Sequence, residues 1–306
     1  MKTPLFFCAV IMSFAFSNCK KDNLIVEIPK DIVSKKKLDP YTEVQYGNMP
    51  LIISVPHGGI VSPNNIPDRS CPNITTVTDG KTNELLNVID SIFKIEYGIQ
   101  PYFVTTYLKR TKLDQNREII EATCGNNSIE NIWNNYHLSI DTCITKILQK
   151  YPQVLFIDLH GHGHTKQRLE LGYLINGNNL RNPNAINPNT TSYYNQLLLN
   201  PFLSSNQFVL NNNAFGTLMA NKNFPSVPSI QDAAPLVTDD YFDGGYNTQI
   251  YTSALYPKVF GWQLETNFIG IRDNNISYIL FAKAFTKSIL KYFDSTTNIK
   301  TNEFGK

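Results

Sequence analysis

Apolar runs of two lengths alternate along this chain. Short runs that stop at glycine, proline or polar clusters predict buried strands, and longer stretches with apolar residues every three or four positions predict helices. The predicted strands cover residues 51–55, 102–108, 154–159, 169–175 and 259–266. The predicted helices cover residues 79–93, 129–151, 192–203 and 277–293, the last capped by Asn274 or Asn275. Strands that alternate with helices indicate an α/β domain with a largely parallel or mixed sheet.

The first 40 residues do not follow this pattern. A lysine at position 2 precedes an apolar stretch of about a dozen residues, too short for a permanent membrane span and typical of a signal peptide. We expect residues 1–18 to be a signal, Cys19 to be the lipidated first residue of the mature protein, and residues 19–40 to form a flexible lysine-rich tether. This predicts a protein of the bacterial cell envelope, held at a membrane by its lipid; secretion after plain cleavage is the alternative.

The composition of the remaining chain suits one catalytic domain, predicted over residues 41–300. The protein is 42% hydrophobic, and a single domain of this length can bury a sizeable core. Its net charge is only +2, and the lysines at residues 35–37 are not interleaved with stacking aromatic residues. Nucleic acid is therefore not an expected partner.

Three cysteines lie in the predicted domain: Cys71, Cys124 and Cys143. An odd number in an exported chain leaves room for one disulfide, for which Cys124–Cys143 is the candidate pair, and for one free thiol. None has the spacing of a zinc knuckle, so we assign the cysteines no catalytic role.

A cluster of histidines follows the predicted strand at residues 154–159. Three of the five histidines in the chain lie within five residues of one another, and neutral imidazole is the commonest side-chain metal ligand. Because alternate residues of a strand share a face, Asp158 and His160 point the same way. His160 is therefore the best ligand candidate, and Asp158 either orients a ligand or is structural. His162 is a second-choice ligand or a substrate contact, and His164 is expected to be a solvated bystander.

Two further metal-ligand candidates lie upstream. His57 follows the first predicted strand and precedes two glycines, which let the backbone approach a ligand closely. Asp79 lies at a predicted helix start, where it either caps the helix or supplies a carboxylate ligand. Alone, each has a plain structural explanation; together with His160 they suit a metal site.

Other polar residues at predicted strand ends suit catalysis. Arg110, Asn116 and Arg117 follow the strand at 102–108, and guanidinium groups bind carboxylates in a bidentate manner. The alternative is a solvated loop with an internal Asp–Arg pair. Glu265 lies in an apolar late strand, where a buried carboxylate is costly unless it is paired or functional. It is our candidate general base, with pairing to a lysine or arginine as the alternative.

The order of these residues predicts a zinc hydrolase. Two histidines and a carboxylate leave a fourth zinc position for water, whose pKa the metal lowers to about 7. Glu265 would take the proton from that water and pass it to a leaving amine, and an arginine would stabilise the oxyanion.

With these segments in this order, the chain resembles the N-formylglutamate amidohydrolase family, which is related in fold to zinc carboxypeptidases and aspartoacylase-type deacylases. The matching segments are residues 56–59, 79–82, 113–117, 157–161, 244–245 and 264–267. The resemblance implies a phosphorylase/hydrolase-like three-layer α/β sandwich with a mixed central sheet and flanking helices. It implies Zn²⁺ on His57, His160 and a carboxylate, with Glu265 as base. It also implies that Arg117, or Arg110, binds a substrate carboxylate or the developing oxyanion.

The third metal ligand departs from the related enzymes. Zinc carboxypeptidases carry a glutamate three residues after the first histidine, and Ile60 occupies that position here. Asp79 is the predicted substitute, with His162 as the alternative. Substrate binding is assigned to Arg110, Asn116 and His162.

The expected activity is hydrolysis of an amide C–N bond in an N-acyl amino acid or small peptide that bears a carboxylate. N-formylglutamate breakdown is a cytoplasmic task, so an envelope protein is expected to take another N-acyl amino acid, a γ-glutamyl chain or a cell-wall peptide. The alternatives are a metallocarboxypeptidase-like peptidase and a non-catalytic lipoprotein that binds peptide or glycan.

Overall fold

A mixed sheet forms the centre of the protein. The computed structural model describes residues 35–202 and 204–305, and within them the sheet has eight strands. The strands are β1 Lys36–Lys37, β2 Thr42–Gln45, β3 Leu51–Val55, β4 Tyr102–Thr106, β5 Val154–His162, β6 Leu169–Gly172, β7 Ser226–Val227 and β8 Val259–Asn267. Their order in space is β1-β2-β4-β3-β5-β8-β6-β7. The central strands β4, β3, β5 and β8 are parallel, and β2 and β6 pair antiparallel to them on either side.

Helices cover both faces of this sheet. The helices of the described residues are α1 Thr82–Tyr97, α2 Ile119–Thr123, α3 Glu130–Leu148, α4 Gly177–Arg181, α5 Tyr194–Leu199, α6 Ser205–Val209, α7 Phe215–Ala220, α8 Tyr246–Tyr251 and α9 Asn275–Thr296. On one face, Phe93 of α1 and Phe215 of α7 both pack on Phe285 of α9. Phe215 also lies against Trp262 of β8, with ring centroids 5.0 Å apart. Helices α1, α7 and α9 therefore form one outer layer.

Helices α3 and α8 cover the opposite face. The Nδ1 atom of His137 in α3 lies 2.8 Å from the Tyr251 hydroxyl in α8, and the Tyr251 ring packs on Phe156 of β5. Phe156 shares its face of β5 with Asp158 and His160, because alternate residues of a strand point the same way. The three layers confirm the predicted α/β sandwich with a mixed sheet and flanking helices.

The polar residues of the central strands lie at one edge of the sheet. Strands β5 and β8 are apolar in their first half and polar in their second, and helices cover both faces of the central sheet. Parallel strands end at a common edge, which is where α/β sheets bind ligands. The candidate functional residues after β3, β4, β5 and β8 therefore meet there.

Several element boundaries differ from the sequence prediction. The helix expected to begin at residue 79 begins at Thr82, and the strand predicted over 169–175 ends at Gly172. The region 205–250, for which no strand or helix was predicted, contains α6, α7, β7 and α8, which are too short for periodicity to reveal. For α9 the cap is Asn274, whose side chain accepts hydrogen bonds from two backbone amides.

The fold extends beyond the predicted domain limits. Lys36–Lys37 of the predicted tether pairs with β2, and lysines are common on edge strands because they discourage aberrant pairing. At the other end, Phe304 is buried. The predicted signal and Cys19 lie outside the described residues. Among the described residues, no helix is long and apolar enough to cross a membrane.

The predicted disulfide pairing was wrong. The bond joins Cys71 to Cys124, and Cys143 is a free, buried thiol. Cys143 lies on the face of α3 that packs into the core, whereas Cys124 ends α2 and meets the loop that carries Cys71. Spacing along the chain could not reveal this pairing, because 53 residues separate the two cysteines.

Removing this disulfide is expected to destabilise the protein. The double variant Cys71→Ser/Cys124→Ser should lose about 4 kcal/mol of unfolding free energy, since the bond closes a loop of 53 residues in the unfolded chain. Urea unfolding with and without reductant measures this loss. Reductant should destabilise the native protein and the Cys143→Ala control alike, and should leave the double variant unchanged. Equal unfolding midpoints for the native and double-variant proteins would contradict the prediction.

Candidate metal centre

Two histidines and an aspartate meet at the edge of the sheet. His57 follows β3 and His160 lies near the end of β5, and these two strands are parallel neighbours. The His57 Nδ1 and His160 Nδ1 atoms are 3.2 Å apart. Oδ2 of Asp79 lies 2.9 Å from His160 Nδ1 and 3.4 Å from His57 Nδ1. All three side chains are buried, so the tertiary structure forms one compact cluster from segments that are distant in sequence.

Local backbone contacts direct the Asp79 side chain into this cluster. Its amide donates to the His57 carbonyl at 3.0 Å, and its carboxylate accepts from the Gly161 amide at 3.3 Å. The carboxylate does not cap α1, because the N-cap residue is Lys81, which has a left-handed φ of 73° and whose side chain makes no cap hydrogen bond. The alternative that Asp79 serves as a helix cap therefore does not apply.

The spacing and charge of the cluster fit a divalent cation. A tetrahedral zinc site with bonds of about 2.0–2.1 Å places its ligand atoms about 3.3 Å apart, and the separations of 2.9, 3.2 and 3.4 Å lie around this value. Burial alone would lower the pKa of His160, but the carboxylates of Asp158 and Asp79 raise it well above its usual value. Despite burial, His57 and His160 hold the pKa of Asp79 far below its usual range. Positive charge is therefore stabilised at this point.

Each imidazole of the cluster is also held by a second carboxylate, at the ring nitrogen that faces away from the cluster. His57 Nε2 lies 2.7 Å from Oδ1 of Asp114, and His160 Nε2 lies 2.8 Å from Oδ2 of Asp158. Such carboxylate–histidine pairs orient the ring and increase the basicity of its other nitrogen. Both Nδ1 atoms consequently point to the same place. Asp158 thus contacts His160 as an orienting residue would.

Asp114 was not identified as a functional residue from the sequence. Arg110 Nε donates to its Oδ2 at 2.9 Å, and Arg69 lies 3.5 Å from the same oxygen. Burial opposes ionisation, but His57, Arg110 and Arg69 together lower the pKa of Asp114 far below its usual value. Residues 113–117 are recognisable as a motif from the sequence, and an Asp–Arg pair within the loop is the structural alternative for it. That pair exists, and it also supports the metal centre through His57.

Glu265 lies beside His160 and forms no salt bridge with the residues that the structure describes. It is the direct neighbour of His160 in the β5–β8 register, so the two side chains share a face. Its Oε1 accepts from Gln263 at 2.9 Å, and its buried Oε2 has no hydrogen-bond partner among the described residues. Burial, opposed by His160 and assisted by Asp79 and other carboxylates, raises the pKa of Glu265 to about 8. A buried, unpaired carboxylate in a cavity is typical of a functional group rather than a structural ion pair.

The two arginines predicted to bind substrate both line the cavity, but they differ in their exposure and in their hydrogen-bond partners. Arg110 is committed to Asp114 through Nε. Arg117 is about one-third exposed, and it uses Nε on Glu121 and Nη1 on the Asn116 carbonyl. Arg110 also donates through Nη1 to the Val77 carbonyl, so each arginine keeps one amino group without a hydrogen bond within the described part of the chain. Arg117 is the better placed of the two to meet a ligand because Arg110 is buried.

Asn116 links its own loop to the first turn of α8 and also lines the cavity. Its Oδ1 accepts from the Asn247 amide at 2.8 Å, and its Nδ2 lies 3.4 Å from His160 Nε2. The predicted substrate contact is thus largely occupied in holding the start of α8 beside the cluster.

Arg272 is a buried residue that the sequence analysis missed. Its guanidinium donates to the carbonyls of His162, Thr266 and Gly80. These bonds connect the Asp79 loop to the ends of β5 and β8. A side chain at Gly161 would overlap this guanidinium, which explains the glycine there. No motif marks Arg272, and the hydrogen bonds that it donates all go to backbone carbonyls.

His162 and His164 lie apart from the cluster. His162 Nε2 contacts the Arg168 carbonyl at 2.8 Å, and its Nδ1 accepts from the His164 amide. Both ring nitrogens are therefore engaged, and Asp79 rather than His162 stands with the two clustered histidines. The expectation that His164 is a solvated bystander was wrong: its side chain is 18% exposed and pairs with buried Glu170. This correction depends on β6, which lies beside β8 in the sheet.

A cavity of about 400 Å³ gives access to these groups. Its walls include the cluster, Glu265, both arginines, His162 and His164. A larger cavity of about 510 Å³, lined by Asn189, Asn195 and Gln249 among others, carries no imidazole. The smaller cavity is therefore the one that combines ligand space with reactive groups.

The sheet, its helical layers and this edge site define a hydrolase-type α/β fold. No protein-family model matches the chain, and no curated protein matches it. Among solved structures, it is similar to N-formylglutamate amidohydrolase from Ralstonia eutropha JMP134, with a TM-score of 0.55 and 10% identity over 84% of this chain and 98% of that one. Succinylglutamate desuccinylase from Chromobacterium violaceum gives a TM-score of 0.38 and 12% identity over 88% of this chain and 70% of that one. The similarity to the Ralstonia eutropha structure confirms the predicted resemblance at the level of the fold.

Proposed function

We propose that this protein is a zinc-dependent amidohydrolase that cleaves the C–N bond of an N-acyl amino acid or small peptide bearing a carboxylate. One observation carries the proposal: the His57–Asp79–His160 cluster has metal-ligand spacing and shares its cavity with the unpaired carboxylate of Glu265. Two imidazoles and one carboxylate are a donor set that suits catalytic zinc, with a fourth position left for water or substrate.

The chain's own residues divide the chemistry between them. When bound, zinc would polarise the scissile carbonyl and lower the pKa of water. Glu265 accepts the proton of the attacking water and returns it to the leaving amine nitrogen, so no proton is gained or lost overall. Gln263 holds one Glu265 oxygen and leaves the other free. Arg117 binds the carboxylate of the amino acid or the developing oxyanion.

We also propose that the protein works in the cell envelope, anchored through Cys19. The sequence of residues 1–19 motivates this, and the Cys71–Cys124 disulfide supports an oxidising compartment, since disulfides are rare in the cytosol. An envelope location favours other N-acyl amino acids and short peptides as substrates over N-formylglutamate.

Metal content and substrate profile test the proposed function together. The purified protein is expected to hold one zinc per chain and to release amino acid from N-acyl glutamates, with activity lost on chelation and restored by zinc. Preferred release of C-terminal residues from unblocked peptides would favour the metallocarboxypeptidase-like alternative. Less than stoichiometric zinc after supplementation, with no hydrolysis of either substrate class, would overturn the enzyme proposal in favour of a binding protein.

A further inference from the structure

One wall of the cavity carries His164, which the proposed chemistry does not use and which pairs with Glu170. Glu170 of β6 is fully buried. Its Oε1 lies 2.9 Å from His164 Nδ1, and its Oε2 accepts from the Phe242 amide at 2.8 Å. Burying a carboxylate is costly unless it is hydrogen-bonded, and these two contacts satisfy both oxygens. Glu170 therefore holds the His164 ring in one orientation.

The fixed ring lines the cavity and keeps one nitrogen free of contacts with Glu170. His164 stacks on Phe242, with ring centroids 4.6 Å apart and planes at 25°, and the centroid of the His162 ring lies 4.8 Å from that of His164. Because Nδ1 contacts Glu170, Nε2 points away from it, and no hydrogen bond reaches Nε2 from the described residues. An imidazole held this way accepts at Nε2 when neutral and donates there when protonated. Such a group suits a ligand amide, which offers both a donor and an acceptor.

The order of the strands places this pair opposite the arginines. Along the sheet edge the order is β4, β3, β5, β8 and β6, with neighbouring strands about 4.8 Å apart. The Arg117 loop follows β4, the candidate metal centre lies at β3 and β5, and Glu170 is in β6. The span from β4 to β6 is four strand spacings, or about 19 Å. Since Arg117 and His164 both line the cavity, it extends to either side of the metal centre.

We propose that His164 determines specificity by hydrogen-bonding, through Nε2, an amide in the acyl part of the substrate. Arg117 takes the carboxylate of the amino-acid part on the other side. This inference rests on the proposed function and narrows the substrate class to N-acylaminoacyl amino acids, in which an acyl group blocks the amino end. A formyl group ends at the scissile carbon and does not extend toward His164.

Two matched substrates isolate this contact. N-Acetylglycyl-glutamate and N-pentanoyl-glutamate have acyl chains of equal length, but only the first has an amide beyond the scissile bond. His164→Asn keeps a donor for Glu170 and removes Nε2. We expect it to lower kcat/KM for the acetylglycyl substrate about 10-fold, mainly through KM, because a single hydrogen bond is lost. Turnover of the pentanoyl substrate and zinc content should not change, and His164→Gln should restore part of the loss.

The possible outcomes separate this inference from the proposed function. An equal loss on both substrates would mean that His164 is merely structural, and no loss on either would mean that it makes no contact; each overturns the proposal. If no substrate is hydrolysed by the native protein, calorimetry with zinc-loaded Glu265→Gln decides. The His164→Asn change is then made in the Glu265→Gln protein. If it weakens binding of the acetylglycyl ligand about 10-fold and leaves binding of the pentanoyl ligand unchanged, the proposal is supported. Unchanged binding of both ligands overturns it.

Discussion

Replacement of Glu265 by glutamine is expected to lower kcat by about 10²- to 10⁴-fold, the usual contribution of a positioned general base. Glutamine has nearly the same size and can still accept the hydrogen bond from Gln263. It cannot take a proton from water. Zinc content and substrate KM should therefore stay close to those of the native protein. The hydrogen bond of Glu265 goes to Gln263, and not to a proposed zinc ligand or to Arg117.

The matched control for this variant is Glu84→Gln, which removes a surface carboxylate paired with Lys81. Single-turnover assays with the zinc-loaded proteins measure the chemical step, and Glu84→Gln should leave it unchanged. Glu265→Asp, which withdraws the carboxylate by one methylene, should keep a small part of the activity. Native turnover by Glu265→Gln would reject Glu265 as the base.

The same variant should change how stability depends on pH. Burial raises the pKa of Glu265 from an ordinary 4.5 to about 8 in the folded, metal-free protein. A carboxyl with a raised folded-state pKa contributes stability below its unfolded pKa and loses it as pH rises through its folded pKa. The metal-free native protein should therefore lose stability between about pH 4.5 and 8. Glu265→Gln should not show this component.

Loss of a clustered histidine should have the largest effect on metal binding. Structural zinc sites are stabilised by about 10–16 kcal/mol over four ligands, so His57→Ala should weaken zinc binding about 10²- to 10³-fold. Competition with a chelator of known affinity measures the change. Hydrolysis should fall in parallel and recover partly at high zinc concentrations.

A graded series distinguishes ligands from their supports. Asp114→Asn keeps a side chain near His57 Nε2 but removes the charge, and should weaken zinc binding about 10- to 100-fold. His164→Asn, which alters a histidine of the same cavity outside the cluster, is the control and should bind zinc as the native protein does. Native affinity in His57→Ala, or equal losses in all three variants, would contradict the assignment of the metal centre to this cluster.

The sequence alone determined much of the framework. Strands β3, β5 and β8 and helices α1, α3 and α9 were predicted because their apolar residues form long or sharply bounded patterns. His57 and His160 were recognisable because each follows or ends such a strand. The ends of parallel strands converge at one edge of a sheet, so the sequence also implied that these histidines lie close together.

Only the tertiary structure decided the contacts around them. The cluster includes Asp79 rather than His162, because a backbone bond to His57 holds the Asp79 loop against the end of β5. The contacts of Asp114 with His57, of Arg272 with Gly80 and of His164 with Glu170 span 57, 192 and 6 residues of sequence. The disulfide likewise joins two cysteines that are 53 positions apart in the sequence and meet only in the folded chain. Local pattern reports which face of an element is buried, but the order of strands in the sheet determines which distant side chains meet on that face.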